Sequence, residues 1–275
     1  MSPTPASALS GRVLAAADGV RISARHDPPA DGSVPDLGFV VAHGFTGAWR
    51  RPSIRAIVAE LVLTGGVVSF DFRGHGASGG RSTVGDREVL DLDAAVRWAR
   101  HLGYRRIVPV GWSMGAGVAI RHAALNRGVD AVVAVSGPSR WFYRGTGPMR
   151  LLHRGVGTRI GRGVLAVGYR TRIAKLGWDP WPEPPDALVG RLAPAPLLVV
   201  HGDRDHYFPV EHARWLVEAA RGPAELWLEP GFGHAEAAAT PELLRRVAAW
   251  ADDATRDSTS TGKPEVRDPS AKMPE

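Results

Sequence analysis

The chain has 275 residues, 44% of them hydrophobic and 23% charged, a balance that suits a globular protein able to bury a sizeable core. It has no cysteine, which excludes disulfides, thiolate catalysis and zinc–thiolate or iron–sulfur sites. The formal net charge is +6, and it is concentrated: residues 140–195 carry nine arginines and one lysine against Asp179, Glu183 and Asp186. No run of about 18 apolar residues occurs, so no stable membrane insertion is expected. The apolar stretch at Leu14–Ala17 is too short for a signal-peptide core, and a cytoplasmic location is the expectation.

In chain order, two strand-like runs, 13–17 and 20–24, flank Asp18-Gly19, which predicts a tight hairpin. A buried strand over 38–42 ends at His43-Gly44, and Pro52 opens a helix to about residue 64. A strand at 67–70 is followed by a helix over 86–101, whose apolar residues Val89, Leu92, Ala95 and Trp98 define one buried face. A strand at 107–110 leads into a helix over 113–125, and another strand covers 131–135. After residue 195 the alternation resumes, with strands at 196–200 and 224–228 and helices at 210–220 and 241–251. Strand–helix alternation behind a hairpin implies a mainly parallel sheet with helices on both faces. Pro109 stands inside the strand before Ser113 and predicts a local bulge, because proline lacks a ladder donor.

The expected organisation is an N-terminal extension (1–11), a core (12–139 and 196–252), an insert (140–195) and a disordered tail (253–275). The insert has no strand signal, many Gly and Arg residues, and a proline cluster; within an α/β alternation it reads as a helical lid or cap. Residues 253–275 are polar and nearly free of large apolar groups.

The chemistry centres on Gly111-Trp112-Ser113-Met114-Gly115, a Gly-x-Ser-x-Gly between a strand and a helix. Such a turn holds a serine exposed at the sheet edge, where a base can activate it. A histidine that can act as that base follows the last strand, His234 in Gly231-Phe232-Gly233-His234. The acid that would orient it has two candidates, Asp203 and Asp205.

These segments, with His43-Gly44-Phe45-Thr46-Gly47, Asp71-Phe72-Arg73-Gly74-His75-Gly76-Ala77-Ser78 and His201-Gly202-Asp203-Arg204-Asp205, resemble the α/β-hydrolase family over residues 12–252. The resemblance implies the α/β-hydrolase fold and a Ser113–His234–Asp205 triad. The family's acid stands three residues after the glycine that ends its strand, which favours Asp205 and leaves Asp203 to shape the loop. It also implies an oxyanion hole from the backbone N–H groups of Phe45 and Met114. His43, His75 and the Asp71–Ser78 loop take bracing roles, and His206 and His212 are expected to be exposed. Thr46, Trp112 and Trp141 are candidate substrate contacts.

The expected function is hydrolysis of a carboxylic ester, or a related acyl bond, through an acyl-enzyme. Amide, peptide and carbon–carbon bond hydrolysis are alternatives within the same chemistry. A catalytically silent binding protein on the same fold is the alternative from another class; such relatives lose a triad member, and all three are present here. The partner is a small acyl substrate. No cofactor, metal or nucleic acid is expected, and the oligomeric state is not readable. The arginines of the insert (Arg140, Arg144, Arg150 and Arg154) read either as a solvated surface or as attraction for an anionic substrate or membrane surface.

Overall fold

The computed structural model describes residues 11–32, 36–175 and 178–260. Strands β1 (Arg12–Ala15) and β2 (Arg21–Asp27) form the expected antiparallel hairpin, and β2 runs antiparallel to β4 (Gly66–Phe70). Strands β3 (Leu37–Ala42), β4, β5 (Arg106–Trp112), β6 (Val132–Val135), β7 (Leu197–Gly202) and β8 (Ala224–Glu229) are mutually parallel. The sheet order is β1-β2-β4-β3-β5-β6-β7-β8.

The connections carry helices α1 (Pro52–Leu61), α2 (Glu88–His101) and α3 (Met114–Asn126). Between β6 and β7 lie α4 (Gly147–Gly157), α5 (Arg159–Gly168), α6 (Pro185–Leu188) and a 3-10 turn (Val189–Leu192). Helix α7 (Glu211–Ala219) joins β7 to β8, and α8 (Pro241–Ser260) follows β8. No helix among the described residues is long and apolar enough to cross a membrane.

Successive strand residues point to opposite faces, and the core divides accordingly. Val40, Val68 and Ile107 pack with Leu92 and Ala95 of α2 and Val118 of α3. Phe39, Val41, Val67 and Val108 pack on the other face with Ile57 and Leu61 of α1 and Leu244 and Val247 of α8. Covered on both sides, the inner strands are buried along their length, as their unbroken apolar runs require.

Two expectations need correction. On the β3 side Pro109 causes no bulge: β5 runs in unbroken register with β3 from Leu37↔Arg106 to Ala42↔Gly111, through Val40↔Pro109. Toward β6, the N–H of Ile107 goes to Asp130 Oδ2 and that of Ser113 to Val135 O. Pro109 faces the same side, and the ladder with β6 begins only at Val110↔Val133. The missing donor therefore falls where no ladder partner stands.

The tail does not begin at 253, because α8 continues to Ser260. Thr255 is buried; its hydroxyl donates to Ala251 O and accepts from Arg106, which also pairs with Asp252 at 2.8 Å. A polar segment is thus kept helical by tertiary contacts that periodicity does not register. Residues 261–275 lie outside the described residues, as do 1–10 of the N-terminal extension.

The Asp71–Ser78 loop is held by a dense set of hydrogen bonds at the end of the sheet. Asp71 accepts the N–H groups of Trp49 (2.7 Å) and Ala77 (2.9 Å), and Ser78 Oγ donates to Asp71 O. Arg73, buried, forks between Asp91 (2.8 Å) and Asp18 (2.7 Å). Removing one partner of such a pair strands a buried charge. Arg73→Met, which leaves Asp91 unpaired, is expected to lower stability by about 3–5 kcal/mol in urea unfolding; a loss under about 1 kcal/mol would contradict the bracing role.

Candidate active site

Ser113 stands between β5 and α3 with φ 49° and ψ −114°, in the positive-φ region that a residue with a Cβ enters at a cost. The turn is held because its neighbours leave no slack. A Cβ on Gly111 would lie 2.4 Å from Gly115 O, and one on Gly115 would lie 2.1 Å from Ala42 O. Both glycines are therefore required by close backbone approach.

His234 follows β8, with its ring nitrogen Nε2 2.9 Å from Ser113 Oγ and Nδ1 2.8 Å from Asp205 Oδ2. An ionised carboxylate only accepts, so Nδ1–H donates to Asp205 and Nε2 is free to accept the serine proton. The Asp205 side chain is fully buried, and its Oδ1 accepts the N–H groups of Tyr207 (2.8 Å) and Phe208 (3.0 Å). Burial pushes its pKa up, but the hydrogen bond and charge of His234 with the two backbone donors outweigh this, leaving it below the ordinary value. Asp203 does not reach the histidine; its Oδ1 accepts Gly231 N–H at 2.7 Å and ties the loops after β7 and β8 together.

Met114 is the first residue of α3, so its N–H has no intrahelical acceptor. Among the described residues, Phe45 N–H donates to no protein acceptor either. Gly44, Phe45, Ser113, Met114 and His234 line one cleft of about 1420 Å³. Thr46 and Trp141 line it too, and Trp141 is fixed by its Nε1–H donating to Glu183 O at 3.0 Å. Trp112 does not. It shares the β5 face of Val108 and Val110, 1% exposed in the core against α1 and α8, because strand alternation turns it from the cleft.

His43 and His75 have bracing positions. His43 Nε2 accepts Phe72 N–H at 3.0 Å, so its Nδ1–H donates to Gly44 O at 2.7 Å. Burial lowers the pKa of His43 to about 4 and that of His75 to about 3. His212 is not exposed, contrary to the sequence expectation. It is 1% exposed, with Nδ1 accepting Ser139 N–H at 3.1 Å and the ring edge-on to Tyr143. His206 is exposed.

Glu236 was missed in the sequence. It lines the cleft two residues after His234, and its Oε1 accepts Gly44 N–H at 2.5 Å. Burial raises its pKa. The contact spans 192 residues, and no local pattern announces it.

A family model described as the alpha/beta hydrolase family matches residues 39–257. A monoacylglycerol lipase of Mycolicibacterium smegmatis is 28% identical over 77% of this chain and 86% of that protein. The uncharacterized protein Rv2307c of Mycobacterium tuberculosis is 31% identical over 88% of this chain and 78% of that protein. Among solved structures, the Pyrococcus furiosus esterase Pf2001 superposes with a TM-score of 0.69 at 26% identity, covering 89% of this chain and 92% of that one.

The His212 environment has a consequence for acid stability. Burial lowers its folded pKa to about 4, against an ordinary 6.5, so the unfolded chain binds the proton more readily. Its contribution is fully present above pH 6.5 and is lost as pH falls toward 4. His212→Asn keeps an acceptor for Ser139 N–H but cannot titrate, so its stability, measured by urea unfolding, should fall less steeply than wild type between pH 6.5 and 4. Equal slopes would contradict a neutral buried His212. The elbow, the His234–Asp205 pair and the family match over residues 39–257 agree: this chain belongs to the α/β-hydrolase family.

Proposed function

We propose that the protein is a serine esterase in which Ser113, His234 and Asp205 act as a catalytic triad. The observation that carries this reading is the continuous hydrogen-bond chain from Ser113 Oγ through His234 to Asp205, opening into the cleft. Ser113 Oγ attacks the ester carbonyl carbon while its proton passes to His234 Nε2. Asp205 orients the ring and stabilises its charged form. The carbonyl oxygen, now an anion, is received by the N–H groups of Phe45 and Met114, the latter at a helix N-terminus. As the intermediate collapses, His234 gives the proton to the leaving alcohol. Water, activated by the same histidine, then attacks the acyl-enzyme and frees the acid and Ser113.

The choice of an ester is supported by the relatives, a monoacylglycerol lipase and an esterase. An intact triad geometry speaks against a silent binding protein. Ser113→Ala is expected to lower kcat on p-nitrophenyl esters by about 10⁴-fold or more while the fold is kept. The wild type should be labelled by a fluorophosphonate probe and the variant should not. A folded wild type that takes no label and hydrolyses no ester would overturn the reading.

Residues 140–195 are proposed to act as a cap that selects the acyl group. Phe142, Leu151, Ile160, Val164 and Trp181 line the cleft, a wall suited to an extended apolar chain. Of the four arginines singled out in the sequence, Arg140 pairs with Asp186 and stacks over Trp215, and Arg150 donates to the carbonyls of Arg144 and Gly145. Only Arg144 and Arg154 of the four line the cleft. Chain length is therefore expected to govern selectivity more than charge. Along p-nitrophenyl acetate, butyrate and octanoate, kcat/KM should rise by up to about fourfold per methylene, the ~0.8 kcal/mol of a buried CH₂. Matched anionic and neutral esters should react at similar rates at low salt. A flat chain-length series with a preference for the anion would instead give the cleft-lining cations Arg144, Arg154, Arg162 and Lys175 the recognition role.

A further inference from the structure

Glu236 has no part in the triad, yet it places a carboxylate against the backbone that precedes Phe45. Three observations define what it does there. The first concerns Gly44, whose backbone has no Cβ to restrict it. Its N–H donates to Glu236 Oε1 at 2.5 Å. Its carbonyl accepts from His43 Nδ1–H at 2.7 Å and from Gly47 N–H at 3.0 Å. Both peptide units that meet at the Gly44 Cα are thus pinned.

The second is planarity. The Gly44 carbonyl and the Phe45 N–H belong to one trans peptide plane and point in opposite directions. Whatever fixes Gly44 therefore fixes the direction of the Phe45 N–H. Rotation about the Gly44 backbone would re-aim that donor.

The third is proximity. A Cβ built on Gly44 would lie 3.2 Å from Glu236 Oε2 and 3.2 Å from Ser113 Cβ, so carboxylate and serine flank the same Cα. Glu236 is itself anchored. It sits in a 3-10 turn (Ala235–Ala237) whose first N–H donates to Ser136 Oγ at 3.0 Å, at the end of β6.

We propose that Glu236 is a positioning residue that locks the Gly44 backbone and thereby aims the Phe45 N–H at the oxyanion, joining the histidine loop to the oxyanion loop. This rests on the esterase reading, in which Phe45 N–H receives the carbonyl oxygen. The useful property of Glu236 is its acceptor oxygen. A negative charge so near the nucleophile opposes an oxyanion, and burial already favours the neutral acid. Burying a carboxylate here is costly unless a hydrogen bond compensates, and Gly44 N–H supplies one.

The test compares wild type, Glu236→Ala and Glu236→Gln by kcat and KM on p-nitrophenyl butyrate and by the rate of fluorophosphonate labelling. Losing the anchor should cost less than losing an oxyanion donor outright, which costs ~10²–10³-fold in kcat. Glu236→Ala is thus expected to lower kcat by about tenfold or more, with KM nearly unchanged and slower labelling. Glu236→Gln, which keeps the acceptor, should recover most of that loss. An alanine variant with wild-type kcat, or a glutamine variant as impaired as alanine, overturns the proposal.

The Gly44 amide proton gives a readout independent of turnover. In the wild type it should resonate downfield and exchange slowly, and it should do so in Glu236→Gln. Exchange at the rate of an open loop overturns the proposal even if Glu236→Ala fails to fold. If the wild type itself hydrolyses no ester and takes no probe, the esterase reading fails and this one with it. An active wild type with an unaffected Glu236→Ala removes this proposal alone.

Discussion

The strained turn at Ser113 is the constraint on which the site depends. Its φ of 49° sets the serine at the apex between β5 and α3, and a residue held there costs on the order of 1–3 kcal/mol. The surroundings leave it no alternative. Ser113 N–H is held by Val135 O of β6, and Gly115 lies so close to the end of β3 that a methyl group would strike Ala42 O. The same close approach brings the first turn of α3 beside His43-Gly44-Phe45. The projection of Ser113 from its turn and the closeness of Met114 and Gly115 to the His43-Gly44-Phe45 segment are thus two results of one packing condition.

Burial divides the histidines by role. His43, His75, His201 and His212 are sealed in the fold with pKa values lowered mainly by burial, which favours the uncharged ring, and they act as fixed donors or acceptors. His201 Nε2 lies 2.9 Å from Phe208 O and holds the turn whose N–H groups of Tyr207 and Phe208 bind Asp205. His234 keeps partial exposure and lines the cleft, stacked at 4.4 Å against Tyr207. The His234 ring thus has a carboxylate on one side and access to the cleft on the other. Here both come from loops at the carboxyl ends of strands, where ligands bind in open α/β sheets.

Much of this was legible in the sequence, because the features concerned are local. Gly111 and Gly115 flank a serine between a strand and a helix, and the turn demands them. The inner strands are unbroken apolar runs because helices cover both faces. What escaped was non-local or depended on side-chain direction. Trp112 is adjacent to Ser113 in sequence, yet strand alternation turns it to the opposite face. The end of α8 is polar, and its helix is kept by Arg106 and Thr255, which no window of local hydropathy connects. His212 has the composition of a surface helix, and only packing against Tyr143, Phe208 and Ser139 buries it. Glu236 meets Gly44 only when the first and last thirds of the chain are folded together.

The site and the segment above it rest on different physical supports. Ser113, Asp205 and His234 each stand in a loop after a parallel strand; the N–H of Ser113 is tied to Val135 O at the end of β6, and that of Asp205 to Gly202 O at the end of β7. Helix α5, by contrast, buries none of its residues, and α4 buries only Met149. Ile160 and Val167 are 83% and 87% exposed. Elements with so little buried apolar surface belong to the low-stability end of a fold. They are nevertheless tied down where they leave the core: Arg172 N–H donates to Gly74 O, Ser82 N–H to Arg172 O, and Trp178 Nε1–H to Thr83 O. Glu88 in turn fixes that loop by accepting from Ser82 Oγ, Thr83 and Gly85. The Ser113–His234–Asp205 geometry is therefore set by the sheet, while much of the cleft wall belongs to a lightly packed segment tied to two braced loops. Sequence change in those walls can reshape the cleft without disturbing the turn that holds Ser113.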